Sequence, residues 1–401
     1  MSNWTSHSRR SFIQAVAGVG IVGTSGCLRM TGGSGQTTGS EPPAETPAAE
    51  IDEQVTETTS RQYDVELVRT WESDRPTGGV MAADGAFLLE LNGIARYDTD
   101  GTRRFETGRF PENFYTRLVK GYGKAVHLDE TGLYVGVDYD DDAAEDHGAR
   151  MYAYAPTTGE KLWQNEEPAD GNHSEIEAID RVGDNLVYAS QASGSGDEQR
   201  PVVRALDVET GAQQWSLEYD TDFVNQVIGY DDRLYVQQLW VLRAYDRQTR
   251  DLLDEKRVGG GFEPTLLDGG DLFVPGEAVH RFDAETFDEV WATEAEYELN
   301  TKPAADENAV YVGTESGYVL AFDRENGTQR WGSRVEGAIS HPPVLADGMV
   351  WIGDERGGLS ALDASSGERV YATDVEPDFS FDVQNGVLKD SVREAAFEIR
   401  S

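Results

Sequence analysis

The sequence is poor in cysteine and in basic residues. Its 401 residues contain a single cysteine, Cys27, so the chain cannot form an internal disulfide. There are 34 lysine and arginine residues against 74 aspartate and glutamate residues, which gives a formal net charge of −40. Proteins that bind nucleic acids need a positively charged surface to neutralise the phosphates. This composition therefore excludes a nucleic-acid partner.

Local motifs for enzyme chemistry are also missing. The sequence has no nucleophile elbow, phosphate-binding loop or dinucleotide-binding motif. The acidic run 138–146 has Ala143 and Ala149 where an EF-hand loop needs glycine and glutamate, which favours a solvated loop over a Ca²⁺ loop. Beyond His7 near the N-terminus, the histidines show no metal-binding spacing; they are His127, His147, His173, His280 and His341. We therefore predict a protein that is not an enzyme, with no catalytic, cofactor-binding or metal-binding residues.

Near its start the chain has one apolar run, residues 12–23, which is short for a membrane span. The residues ahead of it include Arg9 and Arg10 in the order Ser-Arg-Arg-Ser-Phe, which looks like a twin-arginine export motif. The run ends in Thr-Ser-Gly before Cys27, which resembles a lipobox whose cysteine becomes lipidated. We predict that residues 1–27 are a signal and that Cys27 carries the lipid; a signal anchor with an incidental Cys27 is the alternative.

Residues 28–62 are rich in Thr, Gly, Ser, Glu, Pro and Ala, a composition that cannot bury a core and predicts a disordered linker. The expected location is the outer face of the cytoplasmic membrane, reached by export in the folded state. The acidic composition with only six lysines, together with the export motif, looks like that of an extremely halophilic archaeon. At molar salt the Debye length falls to about 3 Å, which screens the repulsion between so many carboxylates.

A short phrase recurs through most of the chain. In its full form an Asp is followed four residues later by Gly and eight residues later by an aromatic residue, as in Asp207, Gly211 and Trp215. The last five intervals between copies are 39, 37, 40, 40 and 35 residues, near the period of a four-stranded propeller blade. The Asp positions of the copies, with Glu398 as a weak eighth, are Asp98, Ala155, Asp207, Asp246, Asp283, Asp323, Asp363 and Glu398.

The phrase predicts a turn from the third strand of a blade into the fourth. The Asp side chain can accept backbone N–H bonds inside the turn, and Gly takes a positive φ at little cost. The aromatic residue then lies on the outer strand, where it can cover the edge between neighbouring blades. Arg250 and Phe287 replace the Gly in two copies, so we expect those turns to be strained or differently shaped.

Counting the strands predicts eight blades. The fourth-strand positions are Trp71, Phe105, Trp163, Trp215, Leu253, Trp291, Trp331 and Tyr371. The first of these precedes the first Asp, and no fourth strand follows Glu398. We therefore expect the N-terminal strand, roughly residues 65–72, to complete the blade that residues 379–400 begin. The predicted fold is an all-β, eight-bladed propeller of four-stranded blades over residues 63–401, with seven blades as the alternative.

The phrases, with the Val-Tyr-Val-Gly and Val-Trp-Ile-Gly strands ahead of two of them, resemble the pyrroloquinoline-quinone-like (PQQ-like) repeat of quinoprotein dehydrogenases and BamB-like lipoproteins. The resemblance covers about residues 63–400 and implies the propeller fold. For a dehydrogenase it also implies PQQ, calcium ligands, an Asp base, a Trp beneath the quinone and often a vicinal disulfide. This chain lacks the cysteines for that disulfide, and its Trp residues stand at the repeat positions that favour packing.

We therefore predict a monomeric, non-catalytic, membrane-anchored propeller that binds or scaffolds an unknown protein partner outside the cell. A PQQ-dependent quinoprotein oxidoreductase with calcium, or a cofactor-binding relative, is the first alternative. A cell-surface carbohydrate-binding module is the second, because exposed aromatic residues suit sugar rings.

Three segments interrupt the repeat and are expected on one face of the propeller: 108–122, 138–150 and 190–201. Loops that grow on one face of a repeat protein are often its binding surface. The predicted contact residues are Phe110, Phe114, Tyr115 and Arg117. Neutral growth of surface loops is the alternative, since loop length costs little stability.

Overall fold

We analysed a computed structural model of the chain. The described residues all lie in one compact unit, Ala48–Ser401. The predicted signal and linker, with Arg9, Arg10 and Cys27, lie outside the described residues. The structure describes residues 66–72, 79–82, 85–90, 93–98, 100–108, 114–115, 126–141, 146–166, 173–192, 200–219, 223–259, 263–339, 341–356, 358–374, 381–384, 387–390 and 395–400.

These residues form strands and turns and, within the described ranges, no helix. The first strand is β1 (Glu66–Glu72). Sheet I holds β2 (Gly79–Ala82), β3 (Gly85–Glu90), β4 (Gly93–Asp98) and β5 (Arg103–Glu106). Sheet II holds β6 (Phe114–Tyr115), β7 (Val126–Leu128), β8 (Leu133–Asp141), β9 (Asp146–Tyr154) and β10 (Lys161–Glu166). Sheet III holds β11 (His173–Val182), β12 (Asn185–Ala192), β13 (Val202–Asp207) and β14 (Gln213–Glu218).

The second half continues the same pattern. Sheet IV holds β15 (Val224–Tyr230), β16 (Arg233–Gln238), β17 (Val241–Asp246) and β18 (Leu252–Arg257). Sheet V holds β19 (Leu266–Asp268), β20 (Asp271–Pro275), β21 (Ala278–Asp283) and β22 (Glu289–Glu294). Sheet VI holds β23 (Ala304–Ala305), β24 (Ala309–Gly313), β25 (Tyr318–Asp323) and β26 (Gln329–Arg334). Sheet VII holds β27 (Val344–Ala346), β28 (Met349–Gly353), β29 (Gly358–Asp363) and β30 (Arg369–Asp374). The last strands are β31 (Phe381–Gln384), β32 (Val387–Asp390) and β33 (Ala395–Arg400).

Each of sheets I and III–VII is a four-stranded antiparallel meander in chain order, and sheet II carries β6 as an additional strand. The eighth sheet has the order β1-β33-β32-β31, so strands from both ends of the described chain share one sheet. In that sheet β1 pairs with β33 from Glu66↔Arg400 to Glu72↔Ala395. An all-β chain of repeated four-stranded sheets is therefore confirmed, and its arrangement is that of a β-propeller. The count of eight blades in the ring stays a prediction.

The middle strands of the sheets form the core. All residues of β20 and β24, and all but the first of β16, are buried. Strands buried on both faces read as continuous apolar runs instead of alternating ones. The fourth strands, such as β14 and β26, alternate exposed and half-buried residues, because only one of their faces packs against a neighbouring sheet.

The repeated turn has the predicted hydrogen bonds. In sheet VII the Asp363 carboxylate oxygen Oδ1 accepts the N–H groups of Ser365 (3.0 Å) and Ser366 (2.9 Å), and Gly367 N–H donates to the Asp363 carbonyl (2.8 Å). Gly367 has φ +73°. Hydrogen bonds to the charged form lower the pKa of Asp363 below its usual value, with the Ser365 hydroxyl contributing most.

In three described pairs of neighbouring sheets, the aromatic residue of the outer strand lies on the turn of the next sheet. Trp331 Nε1 donates to the carbonyl of Ala364 (3.1 Å), and a Cβ added at Gly367 would lie 2.6 Å from the Trp331 ring. Trp163 and Trp291 make the same contacts with the turns that follow Asp207 and Asp323. Gly is therefore required at these turns for two reasons, the positive φ and the close approach of the indole.

Two turns lack Gly and keep the same shape. Arg250 and Phe287 have φ +64° and +65°, and each N–H donates to the carbonyl of the Asp four residues earlier at 2.8 Å. The prediction of strain is confirmed, because non-glycine residues rarely adopt this region. The alternative, a different turn shape, is wrong.

The assignment of Leu253 to the aromatic position is also wrong. Asp254 pairs with Ala244 as Trp331 pairs with Ala321, so the bulge in β18 places Asp254 at that register. Leu253 is half exposed. Counting eight residues from the repeat Asp, instead of looking for the nearest large apolar residue, identifies the correct position.

Candidate functional site

The sheet ends at which second strands connect to third strands, and fourth strands to the next sheet, form what we call the upper face. Among the described residues, sheet II has a long strand pair there. β8 and β9 are each nine residues long, and they remain paired to Asp141↔Asp146. β8 is four residues longer than the five-residue β24, which adds about 13 Å of strand. Most of segment 138–150 is therefore a β-hairpin, and its interpretation as a loop is wrong.

The predicted contact residues Phe114 and Tyr115 form β6, which pairs with Tyr139 and Asp138 of this hairpin. β7 pairs with the same edge of β8 nearer its start, at Leu133–Val135. The structure thus brings segments 108–122 and 138–150 together as a three-stranded projection of the order β9-β8-β6. The other two predicted contact residues, Phe110 and Arg117, lie outside the described residues, as do residues 193–199 of the third segment.

Elsewhere on the upper face, side chains hold the connections between sheets in place. Gln237 accepts both the N–H and the hydroxyl of Thr265, at 2.9 and 2.8 Å, and donates to the carbonyl of Glu263 at 3.0 Å. Gln226 donates to the Thr265 carbonyl at 2.9 Å. All of these residues except Gln226 are buried. Residues 263–265, the described end of the connection from sheet IV to sheet V, are therefore held in place, because a buried amide that lost these partners would be costly.

Aromatic side chains are accessible on the upper face near these connections. Trp240, in the turn between β16 and β17, is 50% exposed. Tyr297 and Tyr318 stack with ring centroids 4.3 Å apart and planes at 10°, and the Arg334 guanidinium lies 5.8 Å from the Tyr318 centroid. The hydrogen bond with Tyr318 raises the pKa of Tyr297 to about 12. Flat, partly exposed aromatic groups of this kind suit protein or sugar contacts.

Three ionisable side chains lie on, or just before, the first strands of three sheets. We call His127 on β7, Asp180 on β11 and Lys302, two residues before β23, the axial cluster. His127 Nδ1 lies 3.7 Å from Asp180 Oδ1, and Asp180 Oδ2 accepts the N–H of Gly229 at 2.9 Å. Lys302 interacts electrostatically with Asp180. Sheets III and VI are separated by two sheets in the chain, so this interaction involves sheets that are not consecutive in sequence.

Burial governs the charges of the axial cluster. Desolvation raises the pKa of Asp180, against the hydrogen bond from Gly229 and the charge of His127, which lower it. Desolvation lowers the pKa of Lys302, and the Asp180 carboxylate opposes this shift. Both shifts favour the uncharged form of the side chain. Lys302 nevertheless remains partly exposed.

A cleft of about 770 Å³ opens at the opposite ends of sheets VI and VII. Its lining includes Tyr311, Arg330 and Asp363. Tyr311 donates its hydroxyl to Asp306 at 2.8 Å and to the Ala364 carbonyl at 3.2 Å, and Asp363 holds the repeated turn. These side chains already stabilise the contact between the two sheets.

The sequence matches the family described as outer membrane protein assembly factor BamB over residues 147–257 and 275–387. Together these segments span more than half of the chain. The chain belongs to this family. No curated protein sequence matches it significantly.

Solved structures show the same fold as this BamB-family chain. The crystal structure of BamB from Moraxella catarrhalis has a TM-score of 0.63 at 17% identity, covering 84% of this chain and 100% of that one. The computationally designed Ika8 protein has a TM-score of 0.62 at 14% identity and covers 84% of this chain and 99% of its own. The quinohemoprotein alcohol dehydrogenase ADHIIG from Pseudomonas putida HK5 has a TM-score of 0.57 at 13% identity, covering 81% of this chain and 71% of its own.

The quinone site that the PQQ-like resemblance implies needs a calcium ligand set and an accessible Trp face. Within the described ranges, no group of three or more His, Cys, Asp or Glu side chains could hold a metal ion. Trp163, Trp291 and Trp331 lie on neighbouring turns, and Trp351 is 1% exposed and packs beside Tyr371 at 6.0 Å. That this BamB-family chain binds no PQQ, calcium or other cofactor stays a prediction.

Sequence reasoning missed the axial cluster. His127 was recognised only as one of several scattered histidines, and Asp180 and Lys302 were not singled out. One signal was available, because Lys302 is one of only six lysines and immediately precedes Pro303 at the entry to an inner strand. The three residues are far apart along the chain, so the sequence alone does not reveal that they belong to one cluster.

Within the described ranges no helix could cross a membrane.

Proposed function

We propose that this chain is a non-catalytic protein-binding or scaffolding propeller of eight blades. The lipid on Cys27 anchors it to the outer face of the cytoplasmic membrane. Membership of the BamB family and the likeness to BamB from M. catarrhalis over that protein's whole chain support this role. The pairing of β1 with β33 supports a ring closed by the N-terminal strand.

The observation that carries the proposal is the projection of sheet II on the upper face. It is the place where two interruptions of the repeat meet, through the pairing of β6 with β8. The repeated residues themselves are used in turns and in contacts between sheets, so a specific partner contact has to come from segments outside the repeat. Phe114 and Tyr115 are the aromatic residues that we assign to this contact.

Partner capture tests this assignment. Membranes are extracted in molar KCl, and proteins that copurify with the tagged full chain are compared between wild type and the Phe114→Ala/Tyr115→Ala variant. We expect the variant to lose the partner that wild type retains. The matched control is Val290→Ala, which removes an exposed apolar side chain from the outer strand β22. Equal capture by all three proteins would refute the role of β6.

The anchor is tested separately. Cys27→Ala is expected to move the protein from the membrane fraction to the soluble fraction, while its propeller still folds. Unchanged sedimentation with membranes would contradict lipidation at Cys27 and favour the signal-anchor alternative.

The quinoprotein alternative is tested by incubating the protein with PQQ and Ca²⁺ in molar KCl, followed by gel filtration. We expect no retained quinone absorbance and no dye-linked alcohol oxidation. A stoichiometric retained quinone would overturn the non-catalytic function.

A further inference from the structure

We propose that the cleft between sheets VI and VII binds a guanidinium group, the cation that an arginine side chain carries. The cleft opens at the ends of the sheets opposite the upper face. This inference therefore goes beyond the proposed contact at Phe114 and Tyr115 and does not depend on it. It assigns a ligand class to a cavity that the proposed function does not use.

The preceding pair of sheets shows how the same place is filled by the chain itself. Between sheets V and VI, Arg324 follows the repeat residue Asp323 and reaches back to the turn between β19 and β20. Its guanidinium donates to the carboxylate and, at 2.8 Å, to the carbonyl of Asp268. It also donates to the Asp271 carboxylate at 3.0 Å, and its Cζ lies 5.2 Å from the centre of the Phe273 ring. A guanidinium from sheet VI thus lies beside two carboxylates of sheet V.

The strand register identifies the corresponding residues one sheet further on. Asp271 pairs with the repeat Asp of sheet V, and Ala309 pairs with that of sheet VI. Arg324 and Ala364 each directly follow a repeat Asp. The charged residues Asp268, Asp271, Arg281 and Arg324 between sheets V and VI correspond to Asp306, Ala309, Ala321 and Ala364 between sheets VI and VII.

The second pair of sheets therefore keeps one carboxylate and has alanine in place of three larger side chains. The cleft of about 770 Å³ is found at this place, and both Asp306 and Ala364 line it. Its volume is within the range of about 300–1,000 Å³ that is typical of ligand pockets. The space that Arg324 fills between sheets V and VI is thus open between sheets VI and VII, beside a carboxylate that is still present.

The Asp306 carboxylate has capacity for a further donor. Its Oδ1 accepts the N–H groups of Asn308 and Ala309 at 2.7 and 2.8 Å, and its Oδ2 accepts the Tyr311 hydroxyl at 2.8 Å. These donors are all neutral. A carboxylate oxygen has two lone pairs, so Oδ2 can accept a second hydrogen bond. A charged donor makes the stronger hydrogen bond, which favours a cation at this position.

The other residues of the cleft suit an arginine side chain. Four carboxylates line it against a single guanidinium, that of Arg330, which donates to a backbone carbonyl of sheet VI at 3.0 Å. This excess of negative charge attracts a cation and opposes an anion. Leu345 and Met349 also line the cleft and can cover the methylene groups of the ligand. The four carboxylates are those of Asp306, Glu307, Asp347 and Asp363.

Small probes test the proposal on the purified full chain. Saturation-transfer difference NMR in molar KCl compares three blocked peptides that differ only in the central residue: arginine, lysine or citrulline, each between two glycines. We expect the arginine peptide to bind several-fold more tightly than the lysine peptide. The citrulline peptide, which has nearly the same shape without the charge, should not bind. Equal binding of either of these two peptides would overturn the choice of a guanidinium.

Free arginine is the fourth probe, and it distinguishes the source of the guanidinium. Binding of the blocked arginine peptide supports a side chain of a protein as the ligand. Binding of free arginine alone supports a small molecule, because it shows that the α-amino and α-carboxyl groups are needed. Binding of neither would overturn the proposal.

Variants locate the bound probe. Ala364→Arg supplies a guanidinium from the chain itself, as Arg324 does one sheet earlier, and should abolish binding. Asp306→Asn keeps an acceptor oxygen but loses the charge, and should weaken binding about tenfold. The controls are Thr286→Arg and Glu285→Gln, at exposed turn positions of sheet V that do not line the cleft, and they should bind as wild type does.

Unchanged binding in the Ala364→Arg variant would overturn the proposal, even if Asp306→Asn fails to fold. The Phe114→Ala/Tyr115→Ala variant should bind the probe normally, because those residues lie at the opposite ends of the sheets. No partner protein is needed for these measurements. Failure here and failure of the proposed function are therefore distinguishable.

Discussion

Two pairs of neighbouring sheets fill the space between them with a large side chain, which comes from the outer strand in one pair and from the next turn in the other. Between sheets VI and VII, Trp331 on the outer strand lies against Gly367 in the next turn. Between sheets IV and V, the outer strand has Asp254 at that register, and the next turn has Phe287. The Phe287 side chain is fully buried, with its ring 5.2 Å from that of Tyr235. Here the large side chain belongs to the turn instead of the outer strand, and it fills the space between the sheets.

The difference shows which part of the repeat is indispensable. The turn keeps its shape in both places, although Phe287 must adopt a φ of +65°. Burial of an aromatic side chain offsets that backbone strain, since burying a Phe contributes about 1.5–3 kcal/mol. Lys256 lies over the exposed side of the arrangement, with its ammonium 5.4 Å from the Phe287 centroid. The space between neighbouring sheets is thus filled in both places, but by a different residue in each.

Truncation of Phe287 is the largest expected effect. Phe287→Ala should destabilise the protein by about 3–5 kcal/mol, because it removes a fully buried ring whose space the neighbours cannot fill. The measurement is chemical denaturation in molar KCl, followed by tryptophan fluorescence. Leu253→Ala, at a half-exposed position of the adjacent strand, is the control and should change stability by less than about 0.5 kcal/mol. Similar losses in the two variants would contradict a filling role for Phe287.

A methyl group at Gly367 tests the other contact. Gly367→Ala should cost about 1–3 kcal/mol more than Gly348→Ala. Both glycines have nearly the same φ, +73° and +74°, but an added Cβ meets Trp331 at 2.6 Å in the first case and nothing within 4 Å in the second. The same denaturation assay measures both. Equal costs would mean that only the backbone conformation, and not the indole, demands glycine there.

The next test replaces the pair Asp254 and Phe287 with a Trp on the strand and a Gly in the turn. In a Phe287→Gly background, Asp254→Trp should recover about 1–2 kcal/mol, because it recreates the Trp–Gly pair between sheets IV and V. In the wild-type background the same Asp254→Trp change should give no stabilisation, since Phe287 already occupies the space. A double-mutant cycle measures the coupling. Additive effects would show that the two arrangements are not equivalent.

The smallest expected effect concerns the turn aspartates, which the two regions share. Hydrogen bonds hold the pKa of Asp246 and of Asp363 below 3.8 in the folded state. Their contribution to stability is therefore complete above pH 3.8 and is lost as the pH falls through the folded-state value. Asp246→Asn and Asp363→Asn should each lose less stability than wild type between neutral pH and about pH 3. A steeper loss in either variant would contradict this linkage.

Much of the fold could be predicted from residue patterns. The Asp-to-Gly turns, the strand Ala309–Gly313 and the pairing partner of the N-terminal strand follow from spacing and turn chemistry. The exception at Leu253 arose because a bulge shifts the register by one residue, which apolarity alone does not reveal. The sequence left the shape of the Phe287 turn open between a strained turn and a different turn, since the burial that compensates for a positive φ comes from another sheet.

The candidate site was less predictable. Interruption of the repeat indicated segments 108–122 and 138–150, but not that β6 pairs with an extended hairpin. The axial cluster could not be found at all, because its members are separated by more than 50 residues along the chain and no local motif links them.

By itself, the sequence determined the turns, the strand order and the four-stranded unit, because those depend on neighbours within one repeat. Only the tertiary structure decided which residue fills the space between sheets and which charges meet at the centre. Both depend on side chains from different sheets, which only folding brings together. Burial also lowers the pKa of Lys302, since desolvation acts on a side chain only after the surrounding sheets have excluded water.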